Sequence, residues 1–229
     1  MSEDELQYEI LSEEFTEYDL SFKIIVVGDS GVGKSCLTTK GTKNNFEEFY
    51  NPTVGFEFFT FNIRVNDKNI KLQIWDTCGQ EAYRSLITSF YRNSSLAIIA
   101  YAINNQNSFY NIEAWLNEIK TQANPETKIF LIGTKVDLQD RKIPTEVARE
   151  FSKEHGFNYF IETSAKTGFN AQNVFIQAAK ELYKSHLEYK SRASRPGSIA
   201  PIPYRQEIHN NIVLDDDEDN KPRKKKKCC

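Results

Sequence analysis

The sequence predicts an α/β domain: a mostly parallel six-stranded sheet with helices on both faces, followed by a polar tail. Three observations carry that expectation. Apolar strand-like runs alternate with helical-period segments from about residue 21 to 186, the pattern of strand–helix–strand units in a parallel sheet. The first such run, Phe22 to Val27, passes straight into Gly28-Asp29-Ser30-Gly31-Val32-Gly33-Lys34-Ser35, which fits G-x-x-x-x-G-K-S/T. From about Leu187 onward the hydrophobic period stops.

That glycine-rich stretch reads as a phosphate-binding loop because each part has a physical use. Small residues let the backbone turn tightly, so that N–H groups from Ser30, Gly31, Val32, Gly33 and beyond converge on an anion. The helix opened by Ser35 and Cys36 adds its positive N-terminal end. Lys34 is a point charge for outer phosphates, and Ser35 offers a hydroxyl to Mg²⁺.

The other elements follow in order. Residues 1–20 carry eight acidic side chains and no Lys or Arg, which predicts a flexible acidic leader. The first helix runs to about Lys43. Asn44 to Val54 is polar and irregular, broken by Pro52. Phe56 to Val65 and Ile70 to Trp75 alternate apolar and polar around Asn66-Asp67-Lys68-Asn69, a β-hairpin. Leu96 to Tyr101 and Ile129 to Ile132 are continuous apolar runs, as in strands buried on both faces. Between them Phe109, Ile112, Leu116 and Ile119 recur at helical spacing over Asn107 to Gln122. Thr145 to His155 is a helix with Val147 and Phe151 inward. Asn158 to Ile161 is a short strand. Asn170 to about His186 is a helix striped by Val174, Ala178 and Leu182. Residues 187–229 read as a disordered tail, with an acidic block (Asp215 to Asp219), a basic block (Lys221 to Lys227) and Cys228-Cys229 at the end.

Composition removes several function classes. A net charge of −3 gives no global electrostatic case for nucleic acid. The longest apolar run, Leu96 to Ile103, is far too short to span a bilayer, and the start of the chain lacks the layout of a signal peptide. The four cysteines, Cys36, Cys78, Cys228 and Cys229, make neither a disulfide framework nor a zinc site, which predicts a reducing, cytosolic compartment. The three histidines are scattered and suggest neither a metal site nor a nucleophile triad.

Four further stretches make the phosphate loop specific. Trp75-Asp76-Thr77-Cys78-Gly79-Gln80-Glu81 resembles the DTAGQ segment of small GTPases, Thr134-Lys135-Val136-Asp137 their NKxD segment, and Glu162-Thr163-Ser164-Ala165-Lys166 their ETSAK segment. Asn51-Pro52-Thr53-Val54-Gly55 places a threonine where that family keeps its switch I threonine. Within the Ras superfamily the chain resembles Rabs, through Val54-Gly55-Phe56-Glu57-Phe58, Lys71 to Asp76, Tyr83-Arg84-Ser85-Leu86, Phe90-Tyr91-Arg92 and the double-cysteine end. The wording around His155-Gly156 and Glu162 to Thr167 is similar to Rabs of ER–Golgi and early endosomal traffic.

The resemblance implies a P-loop NTPase three-layer sandwich and a role for each matching residue. Asp137 would accept two hydrogen bonds from a guanine edge, a pair that adenine cannot supply. The stem of Lys135 would lie along the base while its ammonium reaches phosphate-loop carbonyls. Ser164, Ala165 and Lys166 would close the base's other side, and Phe46 would pack on it. Ser35 and Thr53 would ligate Mg²⁺ directly, with Asp76 holding a metal-bound water. The Gly79 N–H would meet the γ-phosphate, and Gln80 would orient the attacking water. Two residues depart from the family's pattern. Thr134 replaces an asparagine whose amide bonds the base and ties loops together, which predicts a modest loss of affinity. Cys78 replaces an alanine just before Gly79. Cys36, after Ser35, is expected to pack into the interior.

The function this implies is a membrane-anchored GTP/GDP switch that hydrolyses GTP and recruits effectors in vesicle trafficking, with switches at about 46–57 and 77–93. The implied partners are a guanine nucleotide exchange factor, a GTPase-activating protein, a GDP-dissociation inhibitor, a prenylation escort protein and effectors. The implied state is a monomer that does not bind nucleic acid. Geranylgeranyl groups on Cys228 and Cys229 would hold it on the cytoplasmic face of a Golgi, ER–Golgi or endosomal membrane, cycling with cytosol. Two rivals stand beside this. One is a nucleotide-locked binding module made hydrolytically dead by Cys78, against which Gln80 and Thr53 speak. The other is a P-loop phosphotransferase, which needs an acceptor lid and lid arginines that the sequence lacks.

Overall fold

A computed structural model describes residues 6–46, 53, 55–79 and 90–193. The element order is β1 (Tyr8–Ile10), β2 (Leu20–Val27), α1 (Lys34–Lys43), β3 (Phe56–Val65), β4 (Lys68–Thr77), β5 (Leu96–Ala102), α2 (Gln106–Tyr110), α3 (Ile112–Gln122), β6 (Lys128–Thr134), α4 (Thr145–Glu154), β7 (Tyr159–Glu162) and α5 (Ala171–Ala193).

The strands form one mixed sheet in the order β1-β3-β4-β2-β5-β6-β7. β4, β2, β5, β6 and β7 run parallel, while β3 is antiparallel to β4 and β1 is antiparallel to β3. Helices cover both faces because the central strands are apolar on both. Along β2, Phe22, Ile24 and Val26 join a core that includes Leu37 of α1 and Val174, Phe175 and Leu182 of α5. Ile25 and Val27 point the other way, into a core with Phe109 of α2, Trp115 and Leu116 of α3, and Ala148 of α4. Such double-sided burial stabilises the centre by about 1.5–3 kcal/mol for each large aliphatic side chain.

The structure departs from the sequence expectations in four places. Among the described residues the sheet has seven strands, not six, because the acidic leader supplies β1. Backbone bonds to Asn62 and Asn66 and the pairing of Tyr8 with Val65 hold it on the edge of β3. The charge pattern hid this, because the acids find partners on the domain: Glu9 bonds Arg64 at 2.6 Å, and Asp19 bonds Lys68 at 3.2 Å. The helix expected over 107–122 is two helices, divided at Asn111, with Asn105 Oδ1 capping the first by accepting from the Ser108 N–H at 3.2 Å. In α4, Ala148 and Ser152 face inward with Phe151 half-buried, but Val147 lies a quarter-turn away and is 47% exposed. Finally, α5 continues past His186 to Ala193.

Asn62 is the main polar fastener of the leader. It is buried in β3, and its amide donates to the carbonyls of Ser12 (2.9 Å), Glu13 (3.3 Å) and Phe15 (3.3 Å). Two N–H groups shared among three acceptors hold the leader's turn against the sheet. Replacing Asn62 by Ala removes those donors and should lower the unfolding free energy by about 1–3 kcal/mol. Urea titration of the full chain checks the loss, and proteolysis should find the leader cut faster.

Candidate functional site

The parallel register brings the ends of β2, β4, β5 and β6 to one edge. Val26 pairs with Asp76 and with Ile98, and Ala102 pairs with Thr134. The loops leaving these strands therefore emerge side by side. Between them lies a cleft of about 410 Å³, in the range of a small-molecule site.

Its floor is the glycine-rich loop. Gly28 has φ +136°, and a Cβ there would stand 2.2 Å from the Ala100 carbonyl oxygen, so the turn out of β2 accepts only glycine. Lys34 is buried and folds back across the loop, donating from Nζ to the carbonyls of Gly28 and Asp29, both at 2.8 Å. Burial lowers its pKa, while the nearby Asp76 and Asp29 carboxylates oppose that shift. Helix α1 begins with no side-chain cap at Gly33. Its first residues, Lys34, Ser35 and Cys36, line the cleft, the position an anion-binding helix start requires.

Beside this floor Ser35, Thr53 and Asp76 meet. The Ser35 hydroxyl lies 2.8 Å from that of Thr53 and donates to Asp76 Oδ2. Asp76 is fully buried, and burial pushes its carboxyl up to about 7, against the Ser35 hydrogen bond and the Lys34 ammonium, which pull it down. Among the described residues its Oδ1 has no hydrogen-bond partner. Two hydroxyls and a desolvated carboxyl with a spare oxygen form the hard-oxygen set that suits Mg²⁺, which takes few protein ligands and keeps waters. Among the described residues there is no cluster of three His, Cys, Asp or Glu side chains of the kind that cages a transition metal.

Gly79 closes this end. A Cβ on it would stand 2.4 Å from Asp29 carbonyl carbon, 2.5 Å from Lys34 Nζ and 2.5 Å from the Ser30 nitrogen. Only glycine allows the segment after β4 to approach the phosphate loop this closely. Gln80, the residue expected to act on water, lies outside the described residues, as do Cys228 and Cys229.

The far end of the cleft is built by the loops after β6 and β7. Asp137 Oδ1 accepts a 2.6 Å hydrogen bond from Ser164 Oγ, which also accepts from the Thr167 N–H at 3.1 Å. Lys135 adopts φ +64°, and its Nζ donates to the Gly31 carbonyl at 2.6 Å. Thr134 is buried, with its hydroxyl between the Val32 and Tyr101 carbonyls. It thus ties the β6 loop to the phosphate loop, a task whose loss had been expected with the missing amide. A hydroxyl suffices because the Val32 carbonyl points directly at it.

The cleft is lined by Ser30, Gly31, Gly33, Lys34, Ser35, Cys36, Phe46, Thr53, Gly79, Thr134, Lys135, Asp137, Ala165 and Lys166 among the expected residues. Val32, Asp76 and Ser164 stand behind the lining as supports. Val32 is packed on Ala100 and Ala102. Cys36 corrects an expectation, since it is half-buried in the cleft wall and not in the interior. Cys78 is buried. Sequence reasoning missed Leu37, Thr77, Leu138 and Thr163, which also line the cleft. Leu37 and Leu138 neighbour motif residues, and Thr77 and Thr163 lie within motifs, but only the fold turns each toward the opening. It also missed Asp29, whose carboxylate accepts from Trp115 Nε1 at 2.9 Å and Asn111 Nδ2 at 2.7 Å.

Ser164 stands behind the cleft lining and holds Asp137 through their hydrogen bond. Ser164→Ala would free that carboxylate to turn and should weaken binding of the guanine nucleotide that the sequence leads one to expect here about tenfold, the scale of one hydrogen bond to a charged group. Isothermal titration with GDP on the nucleotide-free protein reads the change.

With this geometry described, comparison with protein-family models finds a match to the Ras family over residues 23–184.

Proposed function

The chain belongs to the Ras family and is a small GTPase, and from that premise we propose that it is a Rab-like GTP/GDP switch of vesicle trafficking. The observation that carries the reading is one cleft with chemically distinct ends. At one end are Lys34, a helix start and the Ser35–Thr53–Asp76 oxygens; at the other is a carboxylate, Asp137, held in place by Ser164.

In this reading Asp137 selects guanine by accepting from two of its N–H groups, and its orientation by Ser164 avoids an entropy cost on binding. The Lys135 stem and Ala165 with Lys166 hold the base between them, with Phe46 at the opening. The phosphate-loop N–H groups and Lys34 bind the phosphates. Ser35 and Thr53 would hold Mg²⁺ with Asp76 behind them, supplying positive charge to the β- and γ-phosphate oxygens. Gly79 reports on the γ-phosphate through its N–H, and Gln80 orients water by hydrogen bonding, not as a base. Hydrolysis then releases the segments around 46–57 and 77–93, so that effectors dock only on the loaded form. The Rab assignment draws on the stretches that resemble that family, among them Phe56, Phe58 and Trp75. In the fold Trp75 lies against Phe56 at 5.2 Å and against Phe90 at 5.1 Å between ring centroids.

Among the described residues no helix is long and apolar enough to cross a membrane. Anchoring in this proposal falls to residues 187–229, with geranylgeranyl groups on Cys228 and Cys229. One lipid chain binds marginally, while two signals hold stably. The exchange factor, activating protein, dissociation inhibitor, escort protein and effectors named above follow from the same reading, as does an endomembrane location.

Three experiments test it. Nucleotide extracted from the purified protein should be GDP or GTP, and Asp137→Asn should shift preference from guanine toward xanthine nucleotides, whose C2 oxygen needs a donor. A variant that still discriminates GTP from XTP as the parent does would exclude Asp137 as the selector. Replacing Cys228 and Cys229 together by serine should move the protein to the soluble fraction while GTP binding is unchanged. Retention on membranes would place the anchor elsewhere.

A further inference from the structure

The phosphate loop has an anchor outside the nucleotide motifs. Asp29 lies in the loop between Gly28 and Ser30, and its own carbonyl receives the Lys34 ammonium at 2.8 Å. Its side chain turns away from the cleft toward α3. Each carboxylate oxygen takes one donor: Oδ1 from the indole Nε1–H of Trp115 at 2.9 Å, and Oδ2 from Asn111 Nδ2 at 2.7 Å. Trp115 is only 2% exposed and is packed with Ile112, Leu116 and Ile119 in the core beneath α3, so its donor is fixed in position. Asn111 sits at the junction of α2 and α3, on the exposed side of the same carboxylate.

We propose that Asp29 is a positioning residue for phosphate binding, clamped by Trp115 and Asn111 so that α3 sets the geometry of the loop. The inference rests on the reading of the cleft as the nucleotide site. Three contacts give the clamp leverage. The Asp29 carbonyl is one of two that hold Lys34, so a rotation of the Asp29 peptide moves the ammonium. Gly79 approaches the carbonyl carbon of the same peptide, with 2.4 Å to a notional Cβ, so the displacement also reaches the segment after β4. The next N–H in the chain, that of Ser30, opens the phosphate-facing part of the loop. A hydrogen bond to a carboxylate is stronger than one between neutral groups, and two opposed donors fix both its position and its plane. The clamp also gives α3 a physical route to the site: a partner that shifts Asn111 would alter how the phosphates are held without touching them.

Three variants test this in the full chain. Trp115→Phe keeps the aromatic packing and deletes one donor. Asn111→Ala deletes the other at an exposed position. Asp29→Asn keeps the shape but can accept only through one oxygen, and it turns an amide N–H₂ toward the remaining donor. Each should speed release of bound GDP by about three- to tenfold. Because the effect passes through the phosphates, affinity for guanosine should stay within about twofold, so that the ratio of GDP to guanosine affinity falls. The chain holds two tryptophans, so Trp115→Phe assigns the Trp115 indole N–H resonance, and Asp29→Asn should shift that resonance upfield as the charged acceptor is lost. Unchanged GDP release in Trp115→Phe and Asp29→Asn, an equal loss for guanosine and GDP, or an unmoved indole resonance would each overturn the clamp while leaving the cleft reading intact. A parent protein that binds GDP no better than ATP would overturn the cleft reading, and this inference with it.

Discussion

The parallel register at the centre of the sheet is the constraint on which the rest depends. β2 lies between β4 and β5, and its pairing of Val26 with both Asp76 and Ile98 brings the strand ends level. A slip of one residue would turn every side chain to the opposite face and carry Ile24 and Ile25, both fully buried, into the wrong core. It would also separate Asp76 from Ser35. The apolar packing that fixes the register therefore also fixes the site, and Leu37 belongs to both, packed in the core and lining the cleft.

What the register assembles is an electrostatically demanding edge. Lys34 and Asp76 are both buried, and an ion in such surroundings survives only with partners. Lys34 has two carbonyls. Asp76 has the Ser35 hydroxyl on one oxygen and, among the described residues, no partner on the other, and burial raises its pKa. A loop rich in main-chain N–H groups and a desolvated oxygen cluster are costly in an apoprotein. In the proposed reading a polyphosphate and a divalent cation would supply the missing charges, which would couple folding of the site to its ligand.

The leader shows how an edge strand is finished. β3 would otherwise present its outer N–H and C=O groups to solvent over its whole length, a template for unwanted pairing. β1 covers only residues 63–65, and beyond it the Asn62 amide gathers the leader's carbonyls where the strand pairing ends. Lys180 of α5 lies 4.6 Å from the Tyr8 ring, and Lys71 lies 5.3 Å from Tyr18, so the acidic leader is held by cations of the domain as well as by its backbone.

The sequence by itself determined the α/β alternation, the phosphate loop and the residues at both ends of the cleft, because these rest on local chemistry. Glycines, a lysine and a carboxylate at fixed spacing can be read from a single strand–turn–helix without knowing what lies opposite. The tertiary structure alone decided what depended on distant partners. The leader's strand needed Arg64, Lys68 and Asn62 from the hairpin. The inward face of α4 was set by rotation, with Ala148 and Ser152 inside and Val147 outside, and apolar character alone did not specify that rotation. Thr134 kept its tying role because a carbonyl more than a hundred residues earlier in the chain met its hydroxyl. Asp29 looked like one polar residue in a loop until α3 brought an indole and an amide to its two oxygens. In each case a side chain's role came from a neighbour far away in sequence, whose position only the packed fold defines.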